Sequence, residues 1–166
     1  MLIVLRGNSG SGKSSTAKLL RKTVIERGSN RKIALVEQDY LRRIILNEKE
    51  SLGTDNIELI YSSVSFCLKR DYAVTLEGIL YSKRYKEMLS KLCELHAENY
   101  FYYFDVSLEE SLKRHALKAN AEEFGEKEMK QWYKPHDVLG FKNEIIIPEH
   151  MSQRETVDKI LNTTRL

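Results

Sequence analysis

Gly7-Asn8-Ser9-Gly10-Ser11-Gly12-Lys13-Ser14 stands between Leu2-Ile3-Val4-Leu5 and a stretch from Lys13 to Arg27 that Gly28 closes. A short continuous apolar run fits a strand buried on both faces. The stretch after the loop reads as a helix with a glycine stop. The octapeptide fits G-x-x-x-x-G-K-S/T in the strand–loop–helix setting that pattern requires. Its glycines let the backbone curl so that successive N–H groups converge on phosphate oxygens. The following helix adds the positive end of its dipole. Gly7, Asn8, Ser9, Gly10, Ser11, Gly12, Lys13, Ser14 and Ser15 are therefore the expected phosphate-binding residues. Lys13 should bridge the β- and γ-phosphates, and the Ser14 hydroxyl should ligate Mg²⁺. The alternative is a Gly/Ser turn that only starts a helix.

Working outward, strand and helix signals alternate. Lys32 to Val36 reads as a second strand, followed by Glu37-Gln38-Asp39 and a short helix from Tyr40 to Leu46. Asp55-Asn56-Ile57-Glu58 has the form of a capping box ahead of the stripe Ile57, Ile60, Tyr61, Val64, Cys67, Leu68. Tyr72 to Leu76 is the third strand, ending at Glu77-Gly78, and Tyr85, Met88, Leu89, Leu92 and Cys93 mark the next helix. Tyr100 to Val106 is an aromatic strand. Ser107-Leu108-Glu109-Glu110 caps a helix to about Lys118, with Asp105 expected to tie that strand to the helix start. Glu144 to Ile147 is the fifth strand, stopped by Pro148, and Ser152-Gln153-Arg154-Glu155 caps the last helix. Five strand–helix alternations without an internal repeat imply an α/β protein, a parallel sheet with helices on both faces. Ligands in such sheets sit beyond the carboxyl ends of the strands.

Composition sets limits. The chain has 166 residues, with 27 Lys+Arg against 24 Asp+Glu and a formal net charge of +3. That suits one domain, residues 1–166. The even balance weighs against a nucleic-acid partner, which usually meets a concentrated basic face. Cys67 and Cys93 are too few for a disulfide framework or a four-cysteine zinc site and read as buried thiols. The apolar start is too short for a signal peptide, and no segment reaches the roughly 20 apolar residues of a membrane span. A cytoplasmic protein is expected, with monomer and homodimer both open.

Arg6-Gly7 through Thr16, a glutamate ending the third strand and a late basic segment together resemble the small-molecule kinases built on the nucleoside-monophosphate-kinase type of P-loop fold. Shikimate kinase, gluconate kinase, chloramphenicol phosphotransferase and the zeta-toxin kinases belong to that group. The resemblance spans the chain in element order and length. It implies a three-layer fold, a five-stranded parallel sheet in the order 2-3-1-4-5 and a mobile lid, here residues 120–140. It also implies ATP with Mg²⁺ and a small-molecule acceptor. There is no Asn-Lys-x-Asp guanine signature, no Asp-x-x-Gly switch after a strand, and too little chain for a motor module with its own lid domain.

The resemblance also suggests roles on the acceptor side. Glu37-Gln38-Asp39 is similar to the Asp-x-Asp of shikimate-kinase-like enzymes. There the second carboxylate, Asp39 here, meets the acceptor hydroxyl, and the first, Glu37 here, helps hold the metal's water shell. Phosphoryl transfer is mostly positioning and charge stabilisation, and a carboxylate can orient the nucleophile and take its proton. Alternatively Asp39 caps the Tyr40 helix and pairs with Arg43. Arg42 and Arg43 either clamp an anionic acceptor or form a solvated basic face. Thr75-Leu76-Glu77-Gly78 resembles the Glu-Gly of zeta-toxin kinases, where the acid faces the acceptor; Glu77 could instead serve Mg²⁺ through water. Ile79-Leu80-Tyr81 stands where that family carries an arginine, so the acceptor should differ. Arg114, the only arginine between strands four and five, is the candidate to reach the phosphoryl group or stack on adenine, with Lys118 second. Pro148 occupies the loop that packs on adenine. Trp132-Tyr133 either closes over the acceptor or anchors the lid.

The expectation is an ATP-dependent kinase with Lys13, Asp39 and Arg114 as its catalytic residues. The alternatives are a 5′-hydroxyl kinase of nucleic-acid ends and a non-catalytic ATP-binding regulator.

Overall fold

A computed structural model of the protein describes residues 1–49, 55–117 and 125–166. Lys118 and residues 120–124 of the expected lid lie outside them. Five strands form one parallel sheet: β1 (Leu2–Gly7), β2 (Ile33–Glu37), β3 (Ala73–Gly78), β4 (Asn99–Asp105) and β5 (Glu144–Pro148). Their spatial order is β2-β3-β1-β4-β5, as the resemblance implied. The order places β1, which feeds the phosphate loop, at the centre, next to β3 and β4. The helices are α1 (Lys13–Glu26), α2 (Asn56–Leu68), α3 (Ser82–Leu95), α4 (Leu108–Ala116), α5 (Glu126–Trp132) and α6 (Gln153–Thr164).

Strand alternation divides the core into two layers. From β1, Leu2 and Val4 face one way and pack with Ile60 and Val64 of α2 and Leu89 and Leu92 of α3. Met1, Ile3 and Leu5 face the other way and pack with Ala17, Leu20 and Val24 of α1 and Val157, Ile160 and Leu161 of α6. Leu2 to Leu5 are all 0% exposed. Burying each is worth about 1.5–3 kcal/mol, which pins the strand and the loop it launches.

Local signals differ from expectation in three places. Asp55 makes no side-chain cap. Glu48 supplies the acceptors for the α2 start instead, taking the N–H groups of Asp55 at 3.3 Å and Asn56 at 3.2 Å. Ser107 does cap α4 through Glu110 N–H, but its own N–H goes to Glu149 rather than back to Glu110. Only the Ser152–Glu155 pair closes reciprocally, both bonds being present. Tyr40–Ile45 winds as a π-helical turn that buries none of its residues.

Arg6 is the largest departure. It reads in the sequence as the polar end of an apolar run, yet it is 0% exposed. Its guanidinium bonds Asp137 at 2.6 Å, Glu144 at 2.9 Å and the Leu80 carbonyl, and lies over the Tyr103 ring. A buried charge is tolerable only when its donors are satisfied this completely. Asp137 also accepts from the N–H and hydroxyl of Ser82 at the start of α3. One carboxylate therefore ties β1, α3 and the chain before β5.

Candidate functional site

The loop between β1 and α1 wraps as its glycines allow. Gly10 has φ +80, and a Cβ there would lie 2.5 Å from the Ser111 carbonyl of α4. Only glycine fits both that backbone conformation and that approach. Lys13, 6% exposed, donates to the Asn8 carbonyl at 3.0 Å across the loop.

Glu77 stands opposite. The β2–β3 register pairs it with Glu37, and it is 4% exposed at the end of β3. Ser14 Oγ donates to Glu77 Oε2 at 2.9 Å. Burial pushes the Glu77 carboxyl above its ordinary range. The Lys13 charge and the Ser14 hydrogen bond pull it back, and the charges of Glu37 and Asp39 push it up further. Lysine, serine hydroxyl and carboxylate thus converge where a phosphate chain and its metal would lie. A buried hard-oxygen carboxylate beside a hydroxyl suits Mg²⁺, which usually takes one or two protein oxygens and fills the rest with phosphate and water. Among the described residues no group of three or more His, Cys, Asp or Glu forms a metal cluster. Glu37 forms an ion pair with Lys18 at 3.1 Å, one turn along α1 from Ser14.

Asp39 does not cap the turn that follows it. Its partner is Arg42 at 2.7 Å, not Arg43. Arg42 also donates to the Glu48 carbonyl, so it steadies the turn, while Arg43 is exposed. The Asp39 carboxylate is 57% exposed, available to a ligand approaching the strand ends. Between Asp39 and Glu37, Gln38 points inward and is 1% exposed. It donates to the Tyr85 hydroxyl at 2.8 Å and accepts from Leu80 N–H, and Tyr85 in turn donates to Asn56. A Cβ on Gly78 would meet Gln38 Oε1 at 2.3 Å, so glycine after Glu77 makes room for this amide. Sequence reasoning missed Gln38. The signal was present: strand alternation puts it on the same face as Ala34 and Val36.

The other flank is a cavity of about 340 Å³ lined by Ser11, Gly12, Thr16, Arg114, Pro148 and His150, among others. Arg114 borders it. It is held by Glu110 at 2.7 Å, the Ser11 carbonyl at 3.2 Å and the Glu149 carbonyl at 2.7 Å. Asp105 does not tie to the α4 start; it takes His136 at 2.9 Å instead. Tyr133 anchors to the body through the Val106 carbonyl, and the Trp132 carbonyl accepts from the Tyr81 hydroxyl.

A parallel sheet in this order, with a phosphate loop joining its central strand to a helix, is the P-loop NTPase fold in its kinase-like form. The chain belongs to the KTI12 family: the model described as chromatin associated protein KTI12 matches residues 1–159. Solved structures share the fold at low identity. The APS kinase CysC of Mycobacterium tuberculosis, in complex with AMPPNP and APS, is 18% identical over 99% of this chain and 97% of that one, at TM-score 0.75. Kti12 of Chaetomium thermophilum, in complex with ADP-AlF3, is 16% identical over 99% of both chains, at TM-score 0.64. A gluconokinase from Sinorhizobium meliloti 1021 is 16% identical over 98% of this chain and 93% of that one, at TM-score 0.63. Comparison with curated proteins gives no match. Among the described residues no helix is long and apolar enough to cross a membrane.

Proposed function

We propose that this chain binds ATP with Mg²⁺ and transfers the γ-phosphate to a hydroxyl of a small acceptor. The observation that carries the reading is the Ser14 Oγ–Glu77 Oε2 contact of 2.9 Å beside the buried Lys13, at the mouth of the phosphate loop. Ser14 and Glu77 would hold the metal, Glu77 directly or through water, with Glu37 next to it in the outer layer. The metal, when bound, neutralises charge on the β- and γ-phosphates. Lys13 leaves the Asn8 carbonyl for the phosphates and steadies the charge that builds on the transferring group. Arg114 and Pro148 border the cavity that would take the base. Asp39 orients the acceptor hydroxyl and takes its proton as the oxygen attacks phosphorus and the bond to the β-phosphate oxygen breaks.

KTI12 membership supports a second reading, a nucleotide-binding regulator that transfers phosphate to no metabolite. A metabolite-library screen for ATP-dependent phosphorylation separates the two. The kinase reading expects a phosphorylated product whose formation Asp39→Asn lowers by about 10² or more, the scale of a positioned base, with ATP affinity kept within a few-fold. No product from any acceptor, with ATP bound, would favour the regulator.

A further inference from the structure

The chain beyond α5 is fastened to the phosphate loop itself. The Asn8 carboxamide donates from Nδ2 to the Lys134 carbonyl at 2.8 Å and accepts at Oδ1 from the Lys134 N–H at 2.9 Å. Both polar groups of one backbone residue thus go to a single loop side chain that is 5% exposed. The same residue's backbone carbonyl holds the Lys13 ammonium at 3.0 Å. A second hold is apolar: Met129 of α5, 3% exposed, lies beside Gly10, where a Cβ would come within 3.3 Å of Met129 Cε. Three residues past Lys134 the chain is anchored without the loop, by Asp137 to Arg6 and Ser82 and by its N–H to the Tyr103 hydroxyl. Among the described residues the Asn8 grip joins the loop to the end of α5, alongside holds on the body from Tyr133 to the Val106 carbonyl, from Tyr81 to the Trp132 carbonyl and from Tyr103 to the Lys134 carbonyl.

We propose that Asn8 is a positioning residue that couples occupancy of the phosphate loop to the placement of α5. The proposal rests on the reading that the loop takes nucleotide. Lys13 is the trigger: drawn to a phosphate, it leaves the Asn8 carbonyl to the longer 3.3 Å bond from the Ser11 N–H. A shift of the loop backbone at Asn8 carries its side chain with it. The side chain carries Lys134 and the C-terminal end of α5. Asparagine suits the task because its short side chain offers an acceptor oxygen and donor hydrogens side by side, matching the N–H and C=O of one residue. Linkage makes the effect reciprocal. Whatever factor nucleotide applies to the placement of α5, that placement applies to nucleotide affinity.

Hydrogen exchange on the full chain tests this, with a non-hydrolysable ATP analogue and Mg²⁺ as the probe. The proteins are the wild type, Asn8→Ala and Lys134→Pro. The proline removes the Lys134 N–H without touching the loop, and Tyr133, at φ −62 and ψ 129, already has the extended backbone a following proline needs. In the wild type the analogue should change exchange across residues 126–132. In both variants those amides should exchange about tenfold faster before analogue is added, the effect of losing one or two net hydrogen bonds. Their response to the analogue should largely vanish. Exchange in α2 and α6 should stay at wild-type rates and so report an intact fold. If Asn8→Ala does not fold, Lys134→Pro carries the test. A wild-type α5 that ignores bound analogue, or an equal response in all folded proteins, overturns the coupling. Calorimetry that finds no analogue binding by the wild type overturns the nucleotide reading and the coupling together.

Discussion

Removing the Asp137 carboxylate should cost this protein more than any single surface change. In Asp137→Ala, Arg6 loses its 2.6 Å partner, and the α3 start loses the acceptor of the Ser82 N–H at 2.9 Å. A hydrogen bond to a charged group contributes about 1.5–3 kcal/mol. A helix cap contributes about 1 kcal/mol. Arg6 keeps Glu144 and the Leu80 carbonyl, so the total should stay within the 3–5 kcal/mol typical of a broken buried pair. The expected loss is about 3–4 kcal/mol. At about 2–4 °C per kcal/mol for a chain of this size, Tm should fall by roughly 10 °C. Asp137→Asn keeps an acceptor oxygen and should lose about half as much. Urea unfolding followed by far-UV circular dichroism measures both, with the denaturant slope expected to hold. A loss under about 1 kcal/mol for Asp137→Ala, at unchanged slope, would show that Arg6 does not depend on this partner and would refute the reasoning.

Two further expectations follow from the site. Glu77 has its carboxyl raised mainly by burial, so the folded state keeps its proton where the unfolded chain has lost it. Ionised Glu77 therefore costs stability as pH climbs past the unfolded value of about 4.3. Glu77→Gln should match the wild type in acid and gain on it as pH rises past about 4.3, levelling off above the folded value, while weakening the Mg²⁺ dependence of nucleotide binding; a stability difference that stays flat with pH would contradict this. Arg114→Ala should lower nucleotide affinity by about tenfold through loss of the cation at the base cavity, measured by calorimetry, and unchanged affinity would reduce Arg114 to a clasp between Ser11 and Glu149.

The sheet and its loop were legible because their signals are local. Leu2 to Leu5 carries its own burial pattern, and the Gly7–Ser14 motif carries its own geometry. Ser14 and Glu77 were both readable as site residues, each at the end of its strand or loop. Their direct contact was not, because 63 residues separate them. Arg6 looked like a strand terminus because its carboxylates come from 131 and 138 residues further on. The Asp55 capping box failed for the same kind of reason: Glu48 fills the role from outside the local pattern. Asp39 illustrates a subtler limit. Helical spacing puts both Arg42 and Arg43 on its face, three and four residues on, and it is Arg42 that pairs with it. Asn8 was readable only as loop backbone, and its side-chain grip on Lys134 depends on a return of the chain 126 residues later.

The central claim is that the loop from Gly7 to Ser14 binds ATP through Lys13. Calorimetric titration of the wild type and Lys13→Ala with Mg²⁺-ATP tests it most directly. Lys13 lies at the end of the loop, outside both apolar core layers, and donates to the Asn8 carbonyl, so the variant should keep its fold by circular dichroism. The wild type should bind saturably, and Lys13→Ala should lose affinity by about 10² or more, the scale of removing a charge-assisted contact to phosphate. Equal affinity in the two proteins, or no binding by a folded wild type, would contradict it.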